Sequence, residues 1–144
     1  MGLFKRNETR ELSDGTYIGR LKNDKPNGKG KYEYNNGDVY EGEFIDGQRD
    51  GKGTLRFSNG DVYEGDFENN IIEGVGVLTF ANGDEYSGDF LDGEMHGIGG
   101  LEFKDGHLYV GEFVKGKRNG NGTYYDSEDN VIHDGNWKDD KFIG

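Results

Sequence analysis

Groups capable of catalysis or ligation are plentiful in this chain, and what matters is whether they converge. It carries 29 acidic and 17 basic side chains, three histidines and no cysteine. Without cysteine there are no disulfides and no thiolate metal sites. His96, His107 and His133 stand at unrelated positions, and none belongs to the His-Glu-x-x-His spacing that puts two imidazoles and a base on one helix face. The acid-rich stretches Asn59–Asp66 and Ser127–Asn130 lack the alternating ligands and closing glutamate of a calcium loop. Gly47–Gly53 imitates a phosphate-binding loop, yet three residues separate its glycines where the loop needs one more, and neither Ser nor Thr follows Lys52.

The carboxylates themselves are periodic. Glu41, Glu43, Glu64, Asp66 and Asp89 recur as a decorated row, whereas a catalytic pair needs a unique pocket that drives its two pKa values apart. No catalytic residue, metal site or cofactor is therefore expected. The net charge of −12 has the wrong sign for nucleic acid, and no basic stripe interleaves the aromatic residues.

The period that spreads these groups out is that of the chain. Gly37–Asn59 reads GDVYEGEFIDGQRDGKGTLRFSN, and a shift of 23 residues returns it from Gly60, then from Gly83, and in a worn form from Gly106. Self-similarity of this kind indicates an array of one supersecondary unit. Within the unit the side chains alternate: Tyr40, Gly42 and Phe44 share one face, and Val39, Glu41 and Glu43 share the other. Gly53, Leu55 and Phe57 then oppose Lys52, Thr54 and Arg56 in the same way. A helix would scatter the aromatic positions and each interior glycine would cost it about 1 kcal/mol, so the unit reads as a β-hairpin. Gly42 is expected to leave room for a ring from the neighbouring strand. Asp46-Gly47 and Asn59-Gly60 are expected to supply the positive φ angles of the two connections.

The spacing Tyr-x-Gly-x-Phe, six residues, then Gly-x-Gly resembles the MORN (membrane occupation and recognition nexus) repeat, from about Gly15 onward. The resemblance implies an all-β fold: an elongated, single-layer, twisted antiparallel sheet of consecutive hairpins, about five and a half units of 23 residues. It also implies three kinds of role: a protein-binding scaffold, a membrane-associated module, or a targeting segment of a larger lipid kinase or methyltransferase.

The domain organisation expected is an arm or cap over residues 1–14 and a repeat domain over 15–144. The first unit, Gly15–Asn36, is basic, with Pro26 placed in its hairpin connection and Arg20, Lys22, Lys25, Lys29 and Lys31 giving it a net +3. The units Gly60–Asn82 and Gly83–Asp105 together carry −11. After Gly106 the unit holds until one extra residue enters around Asp126–Asn130, beyond which His133, Gly135 and Trp137 take the Tyr, Gly and Phe positions. The last hairpin is incomplete, and its unpaired strand offers an edge for a second copy or a partner peptide.

The functional expectation is a non-enzymatic scaffold that holds a basic segment or helix of a protein partner in an aromatic groove. Tyr40, Phe44, Tyr63, Phe67, Tyr86, Phe90, Tyr109, Phe113 and Trp137 would line it. Glu64, Asp66, Asp84, Glu85 and Asp89 would steer the partner electrostatically. The alternative is an anionic membrane surface contacted by Lys5, Arg6, Arg20, Lys22, Lys25, Lys29 and Lys31. Met1-Gly2 does not complete a myristoylation motif, because Arg6 stands where Ser or Thr is required. No apolar run approaches the ~20 residues of a membrane-spanning helix, so a cytoplasmic location, free or peripheral to a membrane or cytoskeleton, is the expectation.

Overall fold

The structure is a computed structural model that describes residues 7–144. Among these residues there is no helix, and thirteen antiparallel strands make one open sheet in chain order. The chain divides into two compact units, Met1–Ile71 and Ile72–Gly144. The first holds β1 (Glu8–Leu12), β2 (Gly15–Lys22), β3 (Lys25–Tyr34), β4 (Val39–Ile45), β5 (Gln48–Arg56) and β6 (Val62–Glu68). The second holds all but the first residue of β7 (Ile71–Thr79), then β8 (Glu85–Leu91), β9 (Glu94–Glu102), β10 (Leu108–Val114), β11 (Lys117–Tyr125), β12 (Val131–Lys138) and β13 (Lys141–Phe142).

Two kinds of turn alternate. Asp46-Gly47, at φ 48 and 83, closes β4 on β5 in two residues, the paired positive angles that match the right-handed twist of the strands it joins. Asn69-Asn70 and Asp92-Gly93 adopt the same angles. The longer connection is a type I turn with a glycine bulge: the Gly60 N–H donates to the Phe57 carbonyl at 3.0 Å, and the Phe57 N–H to the Asp61 carbonyl at 2.9 Å. Only Gly60 takes the positive angle there; Asn59 instead accepts the Asp61 N–H through its side chain at 2.9 Å.

The interior is the aromatic row. Tyr17, Tyr40, Tyr63, Tyr86 and Tyr109 are all 0 % exposed. In the second unit Tyr86 sits edge-on between Phe90 at 5.1 Å and Phe113 at 5.0 Å, and Tyr109 lies between Phe113 and Trp137 at 5.1 Å each. Tyr40 lies likewise between Phe44 and Phe67 in the first unit. Such edge-to-face pairs contribute about 0.5–1.5 kcal/mol beyond burial. Each phenol is satisfied locally: the Tyr40 hydroxyl donates to the Glu43 carbonyl at 2.8 Å and Tyr86 to Asp89 at 2.7 Å.

Several expectations are corrected here. The ring over Gly42 is that of Tyr40 on its own strand; the glycine that admits a ring from the adjacent strand is Gly53, whose added Cβ would fall within Tyr40. Pro26 is the second residue of β3, buried opposite Leu21, and the turn is Asn23-Asp24. The extra residue of the last unit is Ile132 in β12, because Tyr125 pairs with Val131 while Tyr124 pairs with His133. The loop Asp126–Asn130 keeps ordinary geometry, with Asp129 at φ 65 in place of glycine. The terminal strand β13 pairs with β12 on one side, with Phe142 opposite Trp137 and the Ile143 N–H donating to the Asn136 carbonyl at 2.8 Å, and it is the last strand of the sheet. Glu8–Leu12 forms the edge strand beside β2.

Candidate functional site

The aromatic positions are not an open groove. Tyr40, Phe44, Tyr63, Phe67, Tyr86, Phe90, Tyr109, Phe113 and Trp137 are between 0 and 5 % exposed, so they form the sheet's own interior. Burial raises the phenol pKa values; the Tyr86 phenol is pushed up to about 12 by desolvation first and the nearby Asp89 carboxylate second. Two half-buried arginines lie against this interior. Arg49 lies over Phe67 at 5.5 Å, Tyr34 at 5.6 Å and Tyr40 at 5.9 Å, and Arg118 over Trp137 at 4.9 Å. A cation over a ring contributes about 0.5–2 kcal/mol, the more the further it is withdrawn from water. Sequence reasoning missed both, although each precedes a Gly-x-Gly by the same distance as Ile72 and Met95 do in the two repeats between them.

The face opposite the rings carries charged side chains. Residues paired across strands share a face, so Lys31 with Glu41 and Lys29 with Glu43 stand together there, as do Lys52 and Asp66, which form an ion pair. The second unit keeps the acids and replaces the lysines: Val75 stands opposite Asp89, and Ile98 opposite Glu112. Ile98 is 58 % exposed.

The acids have distinct roles. Glu64 and Glu85 are exposed, and Glu85 directly opposes Glu102. Asp89 accepts the Ile98 N–H at 2.9 Å and Glu112 accepts that of Asn121, closing the irregular step between adjacent strands. Asp84 accepts the Lys104 N–H at 2.8 Å and ties successive loops together. Glu102 and Glu112 escaped sequence reasoning, since their pairing partners lie on other strands. Asp126 has its pKa lowered by hydrogen bonds from Asn130, the side-chain amide first.

The basic residues gather on the first unit. Arg20, Lys29 and Lys31 line a concavity of about 950 Å³ together with Glu41, Glu43 and Asp50. Lys22 and Lys25 flank the turn between β2 and β3. Lys5 and Arg6 lie outside the described residues. His107 Nδ1 is 3.0 Å from the Tyr124 hydroxyl, His133 stacks on Phe142 at 4.4 Å, and His96 lies on β9 away from both. Among the described residues no group of three His, Asp or Glu could hold a metal ion, and no helix is long and apolar enough to cross a membrane.

Comparison with known proteins accounts for the period. The family described as MORN repeat matches residues 17–39, 40–62, 63–85, 86–108 and 109–131. A comparison with curated proteins gave no match. Each of the five matched segments opens on a buried ring tyrosine, and together they cover most of the chain. The chain therefore belongs to the MORN repeat family, whose repeats serve generally as protein- and membrane-binding modules.

Proposed function

We propose that this chain is a non-catalytic adaptor that binds a basic segment of a protein partner through the face opposite its aromatic row. The observation that supports this reading is the exposed carboxylate pair of the second unit: among the described residues, the facing Glu85 and Glu102 take part in no ion pair. Exposed acids of one sign raise the encounter rate with a cationic partner and reject an anionic one. The buried tyrosines are held as neutral phenols, and each is committed to a carbonyl of its own strand, so they offer no acid–base group to a substrate.

The test is titration of a Lys/Arg-rich peptide at low and high salt, against the wild type and the double variant Glu85→Gln/Glu102→Gln. Binding is expected to weaken with salt in the wild type, and the variant is expected to lose affinity by roughly five- to tenfold at low salt with a flatter salt dependence. Equal affinity at both salts for both proteins would refute the reading. The membrane alternative is favoured by the exposed Arg20, Lys22, Lys25 and Lys29, and opposed by Glu41, Glu43 and Asp50 beside them. Sedimentation of the protein with phosphatidylserine vesicles and not with the peptide would select it.

A further inference from the structure

One line of positions on the face opposite the rings differs between the two units. Across the strands of the first unit it reads Ile18, Lys31, Glu41, Thr54 and Glu64. In the second it reads Val77, Ser87, Gly100, Val110 and Thr123, and ends on Asp134, which accepts the Thr123 hydroxyl at 2.9 Å. Long charged side chains thus give way to short ones, with bare backbone at the centre. Gly100 is not a glycine that the fold demands. Gly97, three residues before it, has φ 67, and a Cβ on the adjacent Gly99 would fall within the Tyr86 ring. A Cβ on Gly100 would meet only the Tyr109 carbonyl oxygen at 3.9 Å and Leu108 Cδ1 at 4.0 Å, which is ordinary contact. Glycine inside a strand weakens it, and it marks a bulge, a bend or a place where a ligand or another backbone approaches closely; Gly100 has ordinary register on both sides, which leaves the last of these.

Carboxylates rim this lane on both sides. Asp89 and Glu112 flank Ile98 on one side, and Glu85 opposes Glu102 on the other, a like-charge pair that is destabilising by itself. None of the four is in an ion pair among the described residues, and Lys115 and Lys117 of this unit sit at the tip between β10 and β11. From Glu85 to Asp89 is four residues along β8, about 13 Å at a strand rise of ~3.3 Å. An α-helix with its side chains is ~10–12 Å across.

We propose that this lane seats an amphipathic helix of a partner protein, its small residues over Gly100 and its Lys or Arg residues reaching both rims. The concavity of about 540 Å³ that shares Ile98 and Glu112 with the lane, and is further lined by Val114 and His96, takes a longer side chain of the same helix. This rests on the protein-binding reading above and adds the place and the shape of the ligand.

The probe is a synthetic helical peptide with alanines on one face and lysines on both flanks, titrated by fluorescence anisotropy against the full chain. Two variants fill the lane: Gly100→Thr, the residue found at the equivalent Thr54 and Thr123, and Val110→Lys, at a position 44 % exposed. Gly100→Thr is expected to keep or raise Tm, and each variant to weaken binding by about tenfold or more, because a side chain now occupies the contact. If the peptide binds the wild type and both folded variants alike, the lane is not the seat, although the basic-partner reading survives. If it binds no form at any salt, both fail. Should Gly100→Thr lower Tm, Val110→Lys alone decides. Binding of phosphatidylserine vesicles that these variants abolish, or self-association that they abolish in sedimentation, would assign the lane to lipid or to a second copy and overturn the helix.

Discussion

Raising the pH above 10 is expected to unfold the protein cooperatively, because Tyr17, Tyr40, Tyr63, Tyr86 and Tyr109 all have pKa values raised by burial above the ordinary 10.0. An unfolded chain releases these protons near pH 10, while the folded one holds them, Tyr86 up to about 12. The unfolded state then binds fewer protons, so stability is fully present below pH 10 and falls as pH rises, by up to about 1.4 kcal/mol per pH unit for each tyrosine. The large shifts at Tyr40, Tyr63 and Tyr86 would together remove several kcal/mol by about pH 12, a large part of a typical reserve of about 5–15 kcal/mol. Circular dichroism and phenolate absorbance recorded together should show one coincident transition. Phenols that ionise at their ordinary pH within an intact sheet would disprove the claim that these rings are the interior.

Gly99→Ala should be among the most damaging single substitutions in the chain, and Gly100→Ala, one residue on, close to harmless. Gly99 is buried, and its Cβ would fall within the Tyr86 ring. Moving that ring forces overpacking, about 1–3 kcal/mol, and breaks the hydroxyl bond to the Asp89 carbonyl, leaving an acceptor that costs about 1–3 kcal/mol more. The sum is on the order of 2–6 kcal/mol, a large share of the reserve. At Gly100 the Cβ meets open contact, and alanine even restrains the unfolded chain. Urea unfolding of the two variants checks the contrast; equal midpoints would show that the glycines are interchangeable and that the rings do not lie on bare backbone.

The architecture was readable from the sequence because the repeat multiplies every local signal. Alternation in Asp38–Phe44 alone would be a weak sign of a strand, but recurrence at one spacing makes the hairpin the only economical reading. Turn chemistry at Asp46-Gly47 was readable for the same reason. The candidate site was less so, since the binding of rings to one another is a matter of packing. Tyr40 and Phe44 carry the residue types of an interface anchor and of a core alike, and only their exposure tells these apart. The acids posed a similar difficulty: Asp84 and Asp89 look like surface charge in a string of letters, yet each accepts a backbone N–H from another strand or loop. The shift caused by Ile132 was misplaced because a bulge within a strand and an insertion in the preceding loop give the same string.

Amide chemical-shift mapping by NMR, with the lysine-flanked helical peptide titrated into the full chain, decides where a basic partner sits. Perturbations are predicted to gather at Ser87, Gly100, Val110, Glu85 and Glu102, on the face away from the rings, and to fade with added salt. Saturable binding whose shifts instead gather at Met95, Leu101 and Tyr124 on the ring face, with the lane unmoved, would contradict the account.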